Sequence, residues 1–184
     1  AITSSASSLK AGETTTVTFT LSEAASDFIE NDISASGGAL SNFAASSSTV
    51  YTATFTPTAD STTDGVISVA SSKFSDSAGN ENADGSEDNN SLTLSVDTVR
   101  PTIAITSSAS SLKAGETTTV TFTLSEAASD FIENDISASG GALSNFAASS
   151  STVYTATFTP TADSTTDGVI SVASSKFSDS AGNE

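Results

Sequence analysis

The sequence predicts an all-β chain folded as two tandem sandwiches, and three observations predict it. Apolar side chains alternate with Thr and Ser at a period of two, the signature of strands with one buried face. Residues 1–81 return without one change as residues 104–184, an offset of 103. No stretch keeps a helical period, and Glu23–Asp32 is the one place with room for a helical turn. A period near 100 is far longer than an ankyrin or leucine-rich repeat and matches one domain with its own core. Copying such a domain unchanged adds length, not new chemistry, which favours a structural spacer over an enzyme.

Each element follows in order. Ile2–Ser4 reads as a short first strand, and Lys10-Ala11-Gly12-Glu13 as a turn into the next. In Thr14–Leu21 the side chains of Val17, Phe19 and Leu21 point inward, and Thr14, Thr16, Thr18 and Thr20 outward. Phe28–Ser34 and Leu40–Phe43 are two shorter strands parted by the Gly37-Gly38 turn signal. Val50–Thr56 buries Tyr51, Ala53 and Phe55 and stops at Pro57. Asp64-Gly65 turns the chain into Gly65–Ser71. A long loop, 72–90, follows and carries Asp76, Asn80, Glu81, Asn82, Asp84, Glu87, Asp88, Asn89 and Asn90. A loop of that length is usually functional. Ser91–Val96 closes the domain with Leu92, Leu94 and Val96 inward. About seven strands per repeat, one buried face each, predict immunoglobulin-like two-sheet packing.

The domain boundaries read as residues 1–98 for the first repeat, 99–103 for a short linker with the start of the next first strand, and 104–184 for the second repeat. The second copy stops before its counterpart of Ser91–Val96, so its last strand is truncated, unseen or supplied by a neighbour. In the last case an open sheet edge invites contact with another chain. The joint Asp97-Thr98-Val99-Arg100-Pro101 has no Gly, and Pro101 restricts itself and Arg100, so it is not a free tether.

Composition narrows the function. There are 22 acidic side chains against five basic, a formal net charge of -17. Phosphate backbones and anionic membranes are poor partners for such a surface. No run is apolar for long enough to insert into a bilayer, and the N-terminus has none of the regions of a signal peptide. The fragment is expected to lie in the middle of a longer polypeptide. Cys and His are both absent, which removes disulfides, thiolate chemistry, the usual general base and the usual zinc ligand. Carboxylate remains, and hard oxygen ligands suit hard cations, calcium above all. Thiol-free, acidic, Ser/Thr-rich chains are common among secreted bacterial surface proteins, so an extracellular location is expected.

Four segments point further: Phe19-Thr20-Leu21-Ser22-Glu23-Ala24, Tyr51-Thr52-Ala53-Thr54-Phe55-Thr56-Pro57, Phe74-Ser75-Asp76-Ser77-Ala78-Gly79-Asn80 and Val96-Asp97-Thr98-Val99-Arg100-Pro101. In this order they resemble the bacterial Ig-like repeats that form the extender region of giant adhesins. Those include biofilm-associated and repeat-in-toxin (RTX) adhesins, one of them an ice-binding adhesin of a cold-water marine bacterium. The resemblance implies a β-sandwich, tandem arrays, calcium at domain junctions and type I secretion. The chain departs from it at Ala83–Asn89, which looks like an acidic insertion, and it lacks glycine-rich nonapeptide calcium repeats.

Strand alternation indicates where calcium would sit. The loops at 22–27 and 72–90 fall at the incoming end of a domain. Those at 5–13 and 57–64 fall at the outgoing end beside Asp97. The junction is thus expected to gather Asp97, Asp60 and Asp64 with Glu126, Asp130, Asp179 and the amide oxygen of Asn183. Their counterparts in the first copy, Glu23, Asp27, Asp76 and Asn80, are candidates with them. Calcium takes six to eight oxygen ligands in irregular geometry. Simple solvation of the same carboxylates is the competing reading. Glu30 and Asp32, with Glu133 and Asp135, form a site within a domain or cap a turn, and Asp84-Gly85-Ser86-Glu87-Asp88 has the wrong spacing for an EF-hand.

Two other functions compete. A ligand-binding module would use the outward threonines 14, 16, 18 and 20 to hold ice or sugar, although Thr is also simply a good strand former. An enzyme would need two working carboxylates. Here Asp97-Thr98-Val99 lacks the glycine of an aspartic protease, and no Gly-x-Ser-x-Gly elbow or activating His exists. The expectation is a spacer without turnover.

Overall fold

Alternation becomes layering in the computed structural model, which describes residues 1–83 and 88–184. The expectations about Ala83–Asn89 and about the spacing from Asp84 to Asp88 fall largely outside the described residues. The chain divides into two units, Ala1–Val99 and Arg100–Glu184.

In the first unit one sheet has the order β1-β3-β6-β5, from Ile2–Ser4, Thr15–Thr20, Val50–Pro57 and Gly38–Ala45. The other has the order β2-β8-β7-β4, from Ser8–Lys10, Ser91–Asp97, Gly65–Val69 and Ile33–Ser36. Every pairing is antiparallel except β2 with β8, which is parallel. The β3–β6 register sets Val17 against Ala53 and Phe19 against Tyr51, and all four are buried. A strand's side chains alternate, so the same register sets Thr16 against Thr54 and Thr18 against Thr52 on the outer face. Phe19, Phe55, Val17, Ile67 and Leu94 are at most 1% exposed, so both sheets feed one core.

Phe28 anchors the aromatic end of that core. Its ring meets Tyr51 and Phe74 edge-on at 5.0 Å each, and Phe43 at 5.6 Å, arrangements that suit the ring quadrupole. The buried Tyr51 hydroxyl donates to the Ala25 carbonyl at 2.8 Å, so the ring enters the core with its polar end satisfied.

The structure differs from the sequence expectation at three places. Residues 5–13, expected to be a loop with its turn at Lys10–Glu13, contain a strand of their own, Ser8–Lys10, and the turn begins only at Ala11. The expected strand Phe28–Ser34 is interrupted by a 3-10 turn at Glu30–Asp32, and pairing starts at Ile33. The Asp32 carboxylate accepts the Ile29 N–H at 2.9 Å, the turn-capping arrangement. Leu40–Phe43 is the middle of a longer strand, Gly38–Ala45, whose register shifts between Ser41 and Ala44. Asn42 sits there at φ 54, a left-handed conformation that Asn tolerates.

Gly37 has φ +70, and a Cβ there would lie 2.2 Å from the Asp64 carbonyl oxygen. Only glycine permits that close approach of two backbones. The outgoing loop Thr58–Asp64 is thereby held against the start of β5.

The second unit repeats the first sheet as β12-β13-β10-β9: Gly141–Ala148, Val153–Pro160, Thr118–Leu124 and Ile103–Ser107. Phe122 again faces Tyr154, and Phe131 again takes Phe28's place among the rings. Its second sheet, among the described residues, is β11 (Ile136–Ser139) with β14 (Val169–Val172). Among the described residues the first unit therefore has eight strands and the second six, against about seven expected for each.

Candidate metal centre

The candidate carboxylates occupy loops at strand ends, where the sandwich core no longer dictates side-chain type. At the outgoing end of the first unit, β8 delivers Asp97, which lies in register with Lys10. Its Oδ1 accepts the Val99 N–H at 3.2 Å. Asp64 Oδ1 accepts the Val96 N–H at 3.3 Å, so Asp64 and Asp97 flank the same stretch of chain. Asp60 sits in a tight turn at φ 50.

Between them lies Thr98, 3% exposed, which sequence reasoning did not single out. Its hydroxyl donates toward the Thr58 and Ser61 carbonyls at 2.7 and 3.1 Å and accepts the Ser61 N–H at 2.9 Å. Its N–H donates to the Ser61 carbonyl at 2.9 Å. The first residue after β8 is therefore locked into the first unit. A small β-branched residue in a linker offered little signal for this.

At the incoming end of the second unit, the chain is fastened again. Thr102 N–H donates to the Ser125 hydroxyl at 2.8 Å, and Ser125 N–H returns to the Thr102 carbonyl at 2.9 Å. Glu126 follows directly and is half-buried. Arg100 Nη1 donates to the Glu184 carbonyl at 2.7 Å.

The segment Asp179-Ser180-Ala181-Gly182-Asn183 forms a closed turn around one carboxylate. Asp179 Oδ1 accepts the N–H groups of Ala181 and Asn183 at 2.8 and 2.9 Å. Its Oδ2 accepts the Asn183 side-chain amide at 2.8 Å. Gly182 supplies the positive φ, 87°, that closes the turn. Burial pushes the Asp179 carboxyl up, but these hydrogen bonds outweigh it and hold it below the ordinary value. Asp179 is 7% exposed and Asn183 2%, and the Glu126 carboxylate lies within 4.8 Å of that of Asp179.

Asp130 is a brace between two loops. It accepts the Ser178 N–H at 3.0 Å and the Ser178 hydroxyl at 2.6 Å. Here too burial pushes the carboxyl up, and the two Ser178 bonds bring it lower overall. Because Ser178 precedes Asp179, the structure brings Asp130, Asp179 and Asn183 to one turn.

The first unit repeats the pattern with more solvent. Asp27 braces Ser75, and Asp76 takes the Asn80 amide at 2.7 Å and the N–H groups of Ala78 and Asn80 at 2.8 Å each. The Ser75 hydroxyl holds Asp27, and the Asn80 side chain holds Asp76, below the usual carboxylate value. Glu23 lines a cleft of about 590 Å³ with Leu21, Phe28, Phe74, Asp76 and Asn80. The serines that pair with these aspartates were missed, although each stands one residue before Asp in the Phe-Ser-Asp-Ser-Ala-Gly-Asn motif.

Within each unit the donor set is oxygen alone: carboxylates, amide and backbone carbonyls. That set fits calcium and does not fit zinc or other soft-ligand metals. Among the described residues no helix is long and apolar enough to cross a membrane.

Comparison with a family model agrees with this architecture. The bacterial Ig-like domain family matches twice, over residues 1–94 and 97–184, and it is not a class of enzymes. No curated protein matches the sequence. A solved structure of FdeC, an Escherichia coli adhesin, aligns with a TM-score of 0.49 at 19% identity. That alignment covers 87% of this chain and 55% of the other, so the chain spans about half the length of the structure it matches.

Proposed function

We propose, on the premise that the chain belongs to the bacterial Ig-like domain family, that it is a structural extender of a secreted bacterial surface adhesin. It stands as a stack of sandwiches, stiffened by calcium at the junctions, that carries a ligand-binding tip away from the cell. The observation that carries this reading is the fastening of the joint at both of its ends. Thr98 is bonded into the first unit and Thr102 into the second, which leaves only Val99, Arg100 and Pro101 between them. A flexible tether would have no use for such anchoring, and a spacer depends on it. The resemblance of four segments to the repeats of biofilm-associated and RTX adhesins, the ice-binding one among them, supports that finer placement.

Calcium is the cation this chemistry favours. Asp60, Asp64 and Asp97 lie at the outgoing end of one unit. Glu126, Asp130, Asp179 and Asn183 lie at the incoming end of the other. Five residues of chain cannot hold Asp97 farther than ~18 Å from Thr102. Asp179 is buried with the Glu126 carboxylate within 4.8 Å of its own, and like charges crowded together favour a cation between them. When bound, the ion would neutralise the acidic loops of both units; Asp97 and Asp179 are the side chains proposed to hold it. Extracellular calcium modules bind at about 0.1–1 mM. Such a site would be empty before export and filled outside the cell.

Solution X-ray scattering in calcium and then in excess EDTA tests this. The expected result is a longer, stiffer particle with calcium, abolished by Asp97→Asn and by Asp179→Asn. An ion held only by the folded form at a hundred times its dissociation constant adds ~2.7 kcal/mol of stability, so the melting temperature should rise in parallel. An unchanged profile and melting temperature at millimolar calcium would reduce the carboxylates to solvating charge.

A ligand-binding role for the outer face of β3 and β6 is the second reading. It is favoured by the facing pairs Thr16–Thr54 and Thr18–Thr52. Replacing Thr16 and Thr18 by Lys should leave a spacer unaffected, and a loss of ice or sugar binding would support the second reading.

A further inference from the structure

Charge is spread unevenly over each sandwich. None of the four strands of the sheet β1-β3-β6-β5 carries a charged residue, and neither do the strands of its repeat, β12-β13-β10-β9. Among the described residues the only charged side chains on strands are Lys10 and Asp97, both in the other sheet of the first unit. The remaining described carboxylates lie in the loops and turns that join strand ends. In a chain of formal net charge -17, this sheet is a neutral flank between acidic ends.

The outer side of the flank is a grid of small hydroxyl side chains. Strand pairing aligns Thr3, Thr18 and Thr52 in one row and Thr16, Thr54 and Ser41 in the next. The second unit repeats the pattern, with Thr121 against Thr155 and Thr119 against Thr157. The edges of the sheet are poor templates for pairing with another strand. β1 has three residues, and the register of β5 shifts between Ser41 and Ala44. The flat side is thus better suited to contact than the edges.

We propose that chains meet side by side on this flank: the outer sides of two such sheets, from two copies of the chain, pack against each other. At the loops, two approaching copies set carboxylate against carboxylate. On the flank neither surface is charged, so the repulsion that keeps copies apart is smallest there. Threonine suits the contact, because its methyl is buried while its hydroxyl donates or accepts across the interface, directly or through water. Acidic loops repel anionic partners and would themselves draw a cationic one. A second copy brings the same neutral face with the same dimensions. Four strands ~4.8 Å apart, at ~3.3 Å per residue, give that face ~400 Å². This is about half of the ~800 Å² per partner in a stable interface, so one unit against one is a weak contact. Each repeat adds an identical face, and the contact gains strength through number. The proposal goes beyond the extender reading and needs no calcium.

The chain has no Cys, so one introduced cysteine reports which faces meet. Thr18→Cys and Ser68→Cys place it on a central strand of either sheet, at outward and half-buried positions. Each 184-residue variant is oxidised in excess EDTA over a concentration series, and the wild-type chain is followed by sedimentation velocity. The expected result is a disulfide dimer that forms faster through Thr18→Cys than through Ser68→Cys. Self-association should strengthen as salt rises from about 0.05 to 0.5 M, because screening weakens repulsion between the acidic loops. Thr18→Glu with Thr121→Glu should weaken it roughly 10-fold or more, by setting like charges face to face. Ser68→Glu with Ser171→Glu adds the same charge on the other sheet and should leave it unchanged; circular dichroism melts check that both variants fold. A chain that stays monomeric up to about 1 mM, equal cross-linking at the two positions, or equal loss in the two Glu variants would overturn the proposal. Association seen only with calcium would move the contact to the carboxylates and overturn it as well, leaving the extender reading intact. So would retention of a monomeric chain on a neutral polysaccharide matrix, lost in the Thr→Glu variant, since a sugar would then be the occupant.

Discussion

The same isoleucine stands in two settings, and truncating it in each offers an internal control. Ile67→Ala removes three carbons from a fully buried position between β8 and β4. At ~0.8 kcal/mol for each buried methylene the transfer term is roughly 2.4 kcal/mol. A residual cavity adds to it, giving about 3–4 kcal/mol, inside the range of about 2–5 kcal/mol for such core truncations. Ile170→Ala removes the same atoms from a half-open wall. Solvent already reaches part of that side chain and no closed cavity forms, so the expected loss is about 1 kcal/mol. Urea unfolding followed by circular dichroism gives the stabilities, and hydrogen exchange assigns each loss to its unit. The slope of each transition should stay constant if only stability changes. Equal losses at the two positions, or a larger one at Ile170, would refute the claim that β8 completes the first core.

Three other outcomes follow from the contacts. Tyr51→Phe removes the donor to the Ala25 carbonyl and leaves a buried acceptor without it, a loss of about 1–3 kcal/mol in the same urea experiment. Gly37→Ala places a Cβ against the Asp64 backbone at positive φ, and should lower the melting temperature of the first unit more than Gly12→Ala, which meets nothing within 4 Å. Asp27 and Asp76 have folded pKa values below 3.8, so their stabilising contribution is complete above that value and disappears as pH falls through the lower folded pKa. Thermal melts between pH 5 and pH 2, in buffers spanning about that window, should therefore show an acid loss that Asp27→Asn flattens.

Much of the fold was legible because its strands are half-buried. Val17, Phe19, Tyr51, Ala53 and Phe55 were placed inward from alternation alone, and all are buried. Ser8–Lys10 escaped notice because three residues carry too little pattern. Its partner among the described residues, β8, lies at the far end of the domain in sequence. The break at Glu30–Asp32 was hidden for another reason: Ile29, which looks like a core residue, is 53% exposed, and β4 has no buried alternation to mark its start. The acidic loops were visible as composition. Their internal order was not, since Asp27 reaches Ser75 and Asp130 reaches Ser178 across long stretches of chain. Thr98 shows the same limit, because its partners, Thr58 and Ser61, belong to a distant turn.

The parallel pairing of β2 with β8 also decides how the first unit bears tension. A pull applied through the N-terminal side of β2 and the C-terminal side of β8 draws two parallel strands past each other along their length. The bonds that join Ser8, Leu9 and Lys10 to the end of β8 are then loaded together, in shear, instead of parting one after another like a zipper. Extension becomes possible only after several have broken at once. Resistance to pulling is governed by the rate of that rupture and not by equilibrium stability. Under such a load the first unit would therefore hold its length and then yield abruptly.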